Sequence, residues 1–203
     1  MFASKGTAMT EDTRDPVSLF HDWFEKAKGF ELSLPEAMSV ASVATDGRPS
    51  TRMVLLKHAD EHGFVFYTNL TSRKGVEITA NSYVALLFHW KSLKQQIRIE
   101  GVAEPVTDEE ADDYFASRDR GAQIGAWASD QSSPMDSRFD LEKRVAQYTA
   151  KFGVSKVDRP PFWSGFRVVP DRYEFWSEGQ FRLHERLIYQ KEGTNWRTER
   201  LFP

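Results

Sequence analysis

Apolar positions along this chain change period several times, and each change marks an element. From Asp15-Pro16 onward, Val17, Leu19, Phe20, Trp23, Phe24 and Ala27 recur at helical spacing and stop near Gly29, which predicts an opening amphipathic helix. Residues 37–44 form a small apolar strand, closed by the hairpin signal Asp46-Gly47. The run 51–57 predicts a buried strand with a cation near each end, Arg52 and Lys57. A loop at 60–63 leads to a strand over 64–68, then a short helix over 72–80 and strands over 83–88 and 95–102. Thr107-Asp108-Glu109-Glu110 is a capping box opening a helix, on which Tyr114 and Arg118, four apart, share a face. Residues 121–137 mix Gly, Ser, Asp and Pro with apolar positions and predict an irregular packed loop or short helices. A helix over 140–152 ends before Arg159-Pro160-Pro161. Strands over 165–169, 172–177 and 181–189 follow, with a last piece near 195–201.

Short strands in hairpin order with helices inserted between them predict an α+β, mainly antiparallel barrel rather than a doubly wound sheet. No G-x-G-x-x-G follows a strand and no G-x-x-x-x-G-K-[ST] occurs, so neither a Rossmann nor a P-loop nucleotide site is supported. With 203 residues, no repeat and no convincing linker, the expected organisation is one domain over 15–203 behind a loose tail over 1–14. A hydrophobic content of 40% and an aromatic content of 13% suffice for a real core. The net charge of −3 argues against a nucleic-acid surface, and local basic clusters in such a chain point to small anions instead. There is no cysteine, which excludes disulfides, thiolate zinc sites and thiol nucleophiles. No apolar run approaches the ~20 residues that cross a bilayer, and the N-terminus lacks the apolar core of a secretory signal. The expectation is a soluble, cytoplasmic protein.

Candidate chemistry lies in a few clusters. Gln180 to Arg186 sits between two turn signals, Ser177-Glu178-Gly179 and Lys191-Glu192-Gly193. On a strand, Arg182, His184 and Arg186 would project to one face. Such a row either grips an anionic, planar or phosphorylated ligand, or keeps a solvated edge strand basic against aggregation. Ser72-Arg73-Lys74 falls where a helix begins, where cations oppose the helix dipole unless a phosphate arrives; surface solubility is the plain alternative. Arg52 is a further arm of that clamp. Tyr114 and Arg118 form a second phosphate-sized cluster, or an ordinary amphipathic helix with one aromatic packed and one arginine in water. Lys57 either joins a ligand or snorkels from a strand exit. Gln95-Gln96, Gln131-Ser132-Ser133 and Trp176 could supply polar contacts and a ring cover, or serve solvent and core. Together the clusters suit two phosphorylated aromatic molecules held against each other.

The ordered segments Arg52-Met53-Val54-Leu55-Leu56-Lys57, Phe66-Tyr67-Thr68-Asn69, Ser72-Arg73-Lys74, Gln123-Ile124-Gly125-Ala126-Trp127, Gln131-Ser132-Ser133, Phe175-Trp176 and Arg182-Leu183-His184-Glu185-Arg186 carry a resemblance. From about Asp15 to Pro203 the chain resembles the pyridoxamine (pyridoxine) 5′-phosphate oxidase family. The resemblance implies a split β-barrel, an obligate homodimer and two FMN sites across the subunit interface. It further implies oxidation of pyridoxamine 5′-phosphate and pyridoxine 5′-phosphate to pyridoxal 5′-phosphate, with dioxygen as acceptor and hydrogen peroxide as product.

By matching motif, the implied FMN contacts are Arg52, Met53, Val54, Leu55, Leu56, Lys57, Tyr67, Thr68, Arg73, Lys74, Gln96, Gln131, Ser132, Trp176 and Arg186, with Arg52, Arg73 and Lys74 serving the phosphate. The substrate phosphate would meet Lys57, Tyr114 and Arg118. Arg182, Leu183 and His184 would wall the pyridine ring, with Arg182 and His184 as catalytic candidates, either positioning or moving a proton. The chain departs from the family at Ala122, where a serine usually adds a hydroxyl to the phosphate clamp, and at 1–14, which lacks the Arg–Tyr segment that covers the substrate in some members. Two other functions stay open: a related flavin oxidase of another aromatic substrate, as in phenazine pathways, and a non-catalytic carrier of FMN or pyridoxal phosphate.

Overall fold

The computed structural model describes residues 15–203; the tail expected over 1–14 lies outside the described residues. Asp15 starts helix α1 (Pro16–Phe30) by accepting hydrogen bonds from the Val17 and Ser18 N–H groups, with proline at the first helical position, where its missing N–H costs nothing. The apolar stripe of α1 buries Leu19, Phe20, Trp23 and Ala27. Phe20 meets Phe64 edge-on at 4.8 Å and Phe88 at 5.3 Å, a geometry that aromatic quadrupoles favour. Truncating so enclosed a ring to alanine costs about 4 kcal/mol.

Around α1 curls a mainly antiparallel sheet. Its strands are β1 (Ala37–Val43), β2 (Pro49–Leu55), β3 (His58–Asp60), β4 (Gly63–Asn69), β5 (Tyr83–Trp90), β6 (Gln95–Pro105), β7 (Trp163–Ser177), β8 (Glu185–Glu192) and β9 (Asn195–Arg200). The order runs β2-β1-β5-β6-β7-β4-β3, with β8 pairing β7 and β9. Helix α2 (Arg73–Ala80) follows β4, while α3 (Asp108–Ser117), α4 (Arg120–Ala128) and α5 (Phe139–Phe152) lie between β6 and β7. The expected α+β antiparallel barrel is what forms. Met38, Val40, Phe66, Phe88, Ile97, Phe175 and α1 share one core, and Phe115, Ile124, Val157 and Trp163 form a second beneath the inserted helices. Among the described residues, no helix is long and apolar enough to cross a membrane.

Strand β7 organises the molecule. One of its edges pairs with β6, while the other pairs with β4 over 163–168 and with β8 over 172–177. Its two halves, expected as separate strands, are continuous. Pro170-Asp171 looked like a break, but Gly101 faces Pro170 and Glu100 faces Arg172, so Asp171 is the extra residue of a bulge, a place in a sheet where proline is tolerated. A side chain at Gly101 would strike the Val169 carbonyl, so the close approach requires glycine there.

Four further expectations are corrected. The 51–57 strand is not buried: among the described residues β2 ends the sheet and pairs only with β1, leaving Met53 64% exposed. His58–Asp60 form β3, so the loop expected over 60–63 begins a residue later and a short strand precedes it. Arg118 is the C-cap of α3 in extended backbone rather than a helical neighbour of Tyr114. The 181–189 strand begins only at Glu185; Gln180–Arg182 is a 3-10 turn in which Phe181 (φ 55°) and Arg182 (φ 67°) are left-handed. Arg182, His184 and Arg186 therefore do not alternate along one strand face.

Candidate active site

A cavity of about 580 Å³ opens between β2, β4, α2 and the inserted helices. Of the expected site residues it gathers Met53, Val54, Leu55, Lys57, Tyr67, Thr68, Lys74, Tyr114, Arg118, Ala122 and Gln131. The size suits a cofactor-sized ligand. Lys57, Lys74 and Arg118 line it, and among the described residues no carboxylate does.

One wall is aromatic. Tyr67 stacks on Tyr114 at 4.0 Å and on Trp163 at 5.4 Å, with the planes within 11° and 3° of parallel. The Arg118 guanidinium lies over Trp163 at 4.8 Å, and the Lys57 ammonium lies 5.9 Å from the Tyr114 ring. Arg118 Nη1 is buried with no hydrogen-bond partner among the described residues. Burial lowers the Arg118 pKa, since a desolvated cation without a counter-ion is disfavoured. An unmatched donor of this kind calls for an anion.

The opposite wall starts at α2. Ser72 caps this helix, accepting from the Gly75 N–H and donating to the Asn69 carbonyl. Its buried hydroxyl is thus engaged in the cap. Lys74 Nζ donates to Thr68 Oγ1 and to Gln131 Oε1, each at 2.9 Å, tying the helix start to the loop after α4. Burial, and then the nearby Arg52 charge, lower the Lys74 pKa. Arg52 and Arg73 meet just behind, both bonded to Glu77. The cations proposed for one phosphate do converge. Ser132, left-handed at φ 73°, follows Gln131, whereas the Leu56 side chain belongs to the core.

The other expected residues stand apart from this cavity within the protomer. Gln96 faces Trp176 in the β6–β7 ladder, and Trp176 faces Arg186 in the β7–β8 ladder. The His184 ring lies 4.7 Å from Trp176, and its Nδ1 accepts from the Gly179 N–H at 3.3 Å. Arg186 donates to the buried Glu174 at 2.7 Å and to the Phe202 carbonyl. Arg182 and Leu183 are exposed on the turn between. Trp176 and Trp163 occupy opposite ends of β7, roughly 40 Å of strand apart. Sequence reasoning missed Asn69, Gly125, Ala126, Ser129 and Trp163 in the cavity, and Glu77 behind it. Only Glu77 left a local signal, its four-residue spacing from Arg73.

The curled antiparallel sheet and its cation-lined cavity define a split β-barrel protein. Residues 24–152 match the family described as pyridoxamine 5′-phosphate oxidase, and residues 163–203 match the pyridoxine 5′-phosphate oxidase C-terminal dimerisation region. The chain belongs to the pyridoxamine 5′-phosphate oxidase family. It is 57% identical over 189 residues to the pyridoxine/pyridoxamine 5′-phosphate oxidase of Caulobacter vibrioides strain NA1000, covering 93% of this chain and 85% of that one. It is 55% identical to the Rhodospirillum rubrum protein of the same name, covering 95% and 98%. Among solved structures it is similar to PhzG from Burkholderia lata 383 in complex with tetrahydrophenazine-1-carboxylic acid, at TM-score 0.90 and 33% identity over 95% of each chain. The dimerisation region supports a homodimer.

Proposed function

We propose that this protein uses FMN to oxidise pyridoxamine 5′-phosphate and pyridoxine 5′-phosphate to pyridoxal 5′-phosphate, passing electrons to dioxygen and yielding hydrogen peroxide; with the amine, water supplies the aldehyde oxygen and the nitrogen leaves as ammonia. The observation that carries the reading is the cavity itself: about 580 Å³, cations on two sides, no lining carboxylate among the described residues, and a buried unpaired nitrogen on Arg118. Two phosphorylated aromatic molecules match that donor set. The relatives named for this activity are 51–57% identical to the chain, whereas PhzG is 33% identical, which favours the B6 substrates over a phenazine precursor.

FMN, when bound, supplies the hydride-accepting chemistry and the reaction with dioxygen. Arg52, Arg73 and Lys74 hold its phosphate, and Gln131 and Thr68 border it. Lys57, Tyr114 and Arg118 hold the substrate phosphate at the aromatic wall and so fix where the ring lies. Gln96, Trp176, Arg182, Leu183, His184 and Arg186 reach this cavity from the second protomer. Two features support that arrangement: these residues lie at the far end of β7, and β2 has an edge unpaired among the described residues, with Met53 exposed beside the cavity. The Gly179 N–H on Nδ1 leaves the proton of neutral His184 on Nε2, so toward the substrate the ring is a hydrogen-bond donor. Arg182 is then the second positioning side chain, and it carries a charge.

The test is anaerobic addition of pyridoxamine 5′-phosphate to the FMN-loaded protein, read by absorbance. Bleaching of the yellow colour, restored by air, is expected. A protein that binds FMN and never bleaches is a carrier, and one without flavin affinity is neither.

A further inference from the structure

The proposed flavin-phosphate site has a carboxylate directly behind it. Glu77 lies on α2 one turn beyond Arg73 and is only 6% exposed. Its Oε1 accepts from Arg73 Nε at 2.8 Å. Its Oε2 accepts from Arg52 Nη2 at 3.0 Å and from the hydroxyls of Ser42 and Ser50. Arg52 also donates from Nη1 to Ser42 Oγ at 2.6 Å. One buried anion thus joins β1, β2 and α2 through two guanidiniums and two hydroxyls.

A negative charge behind an anion site weakens the site electrostatically, so its placement needs another benefit. Arg52 and Arg73 are long side chains whose like charges repel and whose freedom would have to be given up on binding. Arg73 meets Glu77 through Nε alone; among the described residues nothing in the protein engages its terminal nitrogens, and the side chain is 63% exposed. The carboxylate therefore holds the stem of the guanidinium and leaves its outer fork for a ligand.

We infer that Glu77 is a positioning residue that pre-orients Arg52 and Arg73 for the flavin phosphate, without touching that phosphate itself. The inference rests on the proposed assignment of Arg52, Arg73 and Lys74 to the phosphate. Burial alone would raise the Glu77 pKa, but the hydrogen bonds from Ser42, Ser50, Arg73 and Arg52 outweigh it and hold the group at about 2. The brace accordingly stays charged across the working pH range.

The test compares FMN with riboflavin, which shares the ring and ribityl chain and lacks the phosphate, by fluorescence quenching on the full-length protein freed of flavin. Wild type should bind FMN more tightly than riboflavin. Glu77→Gln should raise the Kd for FMN by roughly tenfold while changing that for riboflavin less than about twofold. An unchanged FMN Kd, or equal losses for both flavins, overturns the inference, because a merely structural role would not single out the phosphate. A wild type indifferent between the two flavins overturns the phosphate assignment and this inference with it. Should Glu77→Gln not fold, Glu77→Asp keeps the buried charge but cannot span both arginines. It should lose FMN preference by roughly threefold, and a full preference overturns the inference.

Discussion

The Arg118 guanidinium stacks 4.8 Å from the Trp163 ring centroid while its Nη1 remains buried without a hydrogen-bond partner among the described residues. Held by its face, the cation keeps edge donors for a ligand, which a point charge on a flexible stem would not reproduce. Arg118→Lys is expected to raise KM for pyridoxamine 5′-phosphate by roughly tenfold, with kcat changed less than about threefold and FMN retained. Steady-state kinetics check this, and an unaltered KM removes Arg118 from the substrate clamp.

Ala122 lines the same cavity as Arg118 and brings no hydroxyl to it, where the resemblance to the family implied a serine. Ala122→Ser should restore one hydrogen bond to the substrate phosphate, on the order of 1 kcal/mol, and lower KM by roughly fivefold. A KM that stays level or rises would mean that the phosphate lies elsewhere along the wall.

Burial and Arg52 place the Lys74 ammonium below the ordinary value of 10.5. Between the lowered value and 10.5 an unfolded chain holds this proton and the folded protein does not, so in that window the group makes stability rise with pH. A phosphate dianion beside Lys74 reverses the preference for the neutral form. FMN binding in this alkaline window should therefore take up a proton, and riboflavin binding should not. Titration calorimetry in two buffers of different ionisation enthalpy measures the uptake, which Lys74→Met should abolish.

A Cβ at Gly179 would collide with the Leu183 carbonyl, and the same residue's N–H fixes the His184 ring. Gly179→Ala must displace the turn that carries Arg182 and His184. The expected result is a fall in kcat/KM of roughly tenfold or more, with the melting temperature moving by only a few degrees, since that turn is exposed and adds little to the core. Catalysis that survives intact would show that the shape of the turn is irrelevant.

Local chemistry made much of the molecule legible. Asp15-Pro16 and the Thr107–Glu110 capping box announce α1 and α3 because a helix start satisfies its own N–H groups with nearby side chains. The cationic and aromatic members of the cavity stood out for the same reason: their types already imply an anion and a ring. What stayed hidden depends on residues far apart in the chain. Pro170-Asp171 looks like a break until Gly101 is placed opposite. Alternation over 181–189 reads as strand, whereas the contact between Gly179 and the Leu183–His184 backbone folds it into a turn. Glu77 resembles any surface helix residue until Ser42, Ser50 and Arg52 arrive from other strands.

Because β7 carries Trp163 to one cavity and Trp176 to its far end, the proposed arrangement makes the subunit a poor unit of heredity. Two alleles damaged at opposite ends, Arg118→Ala and Arg182→Ala, would each produce inactive homodimers. When both are expressed together, each mixed dimer would contain one wholly intact centre and one doubly damaged centre. With equal expression and random pairing, about a quarter of all centres should work, and such cells should regain activity that neither allele confers alone.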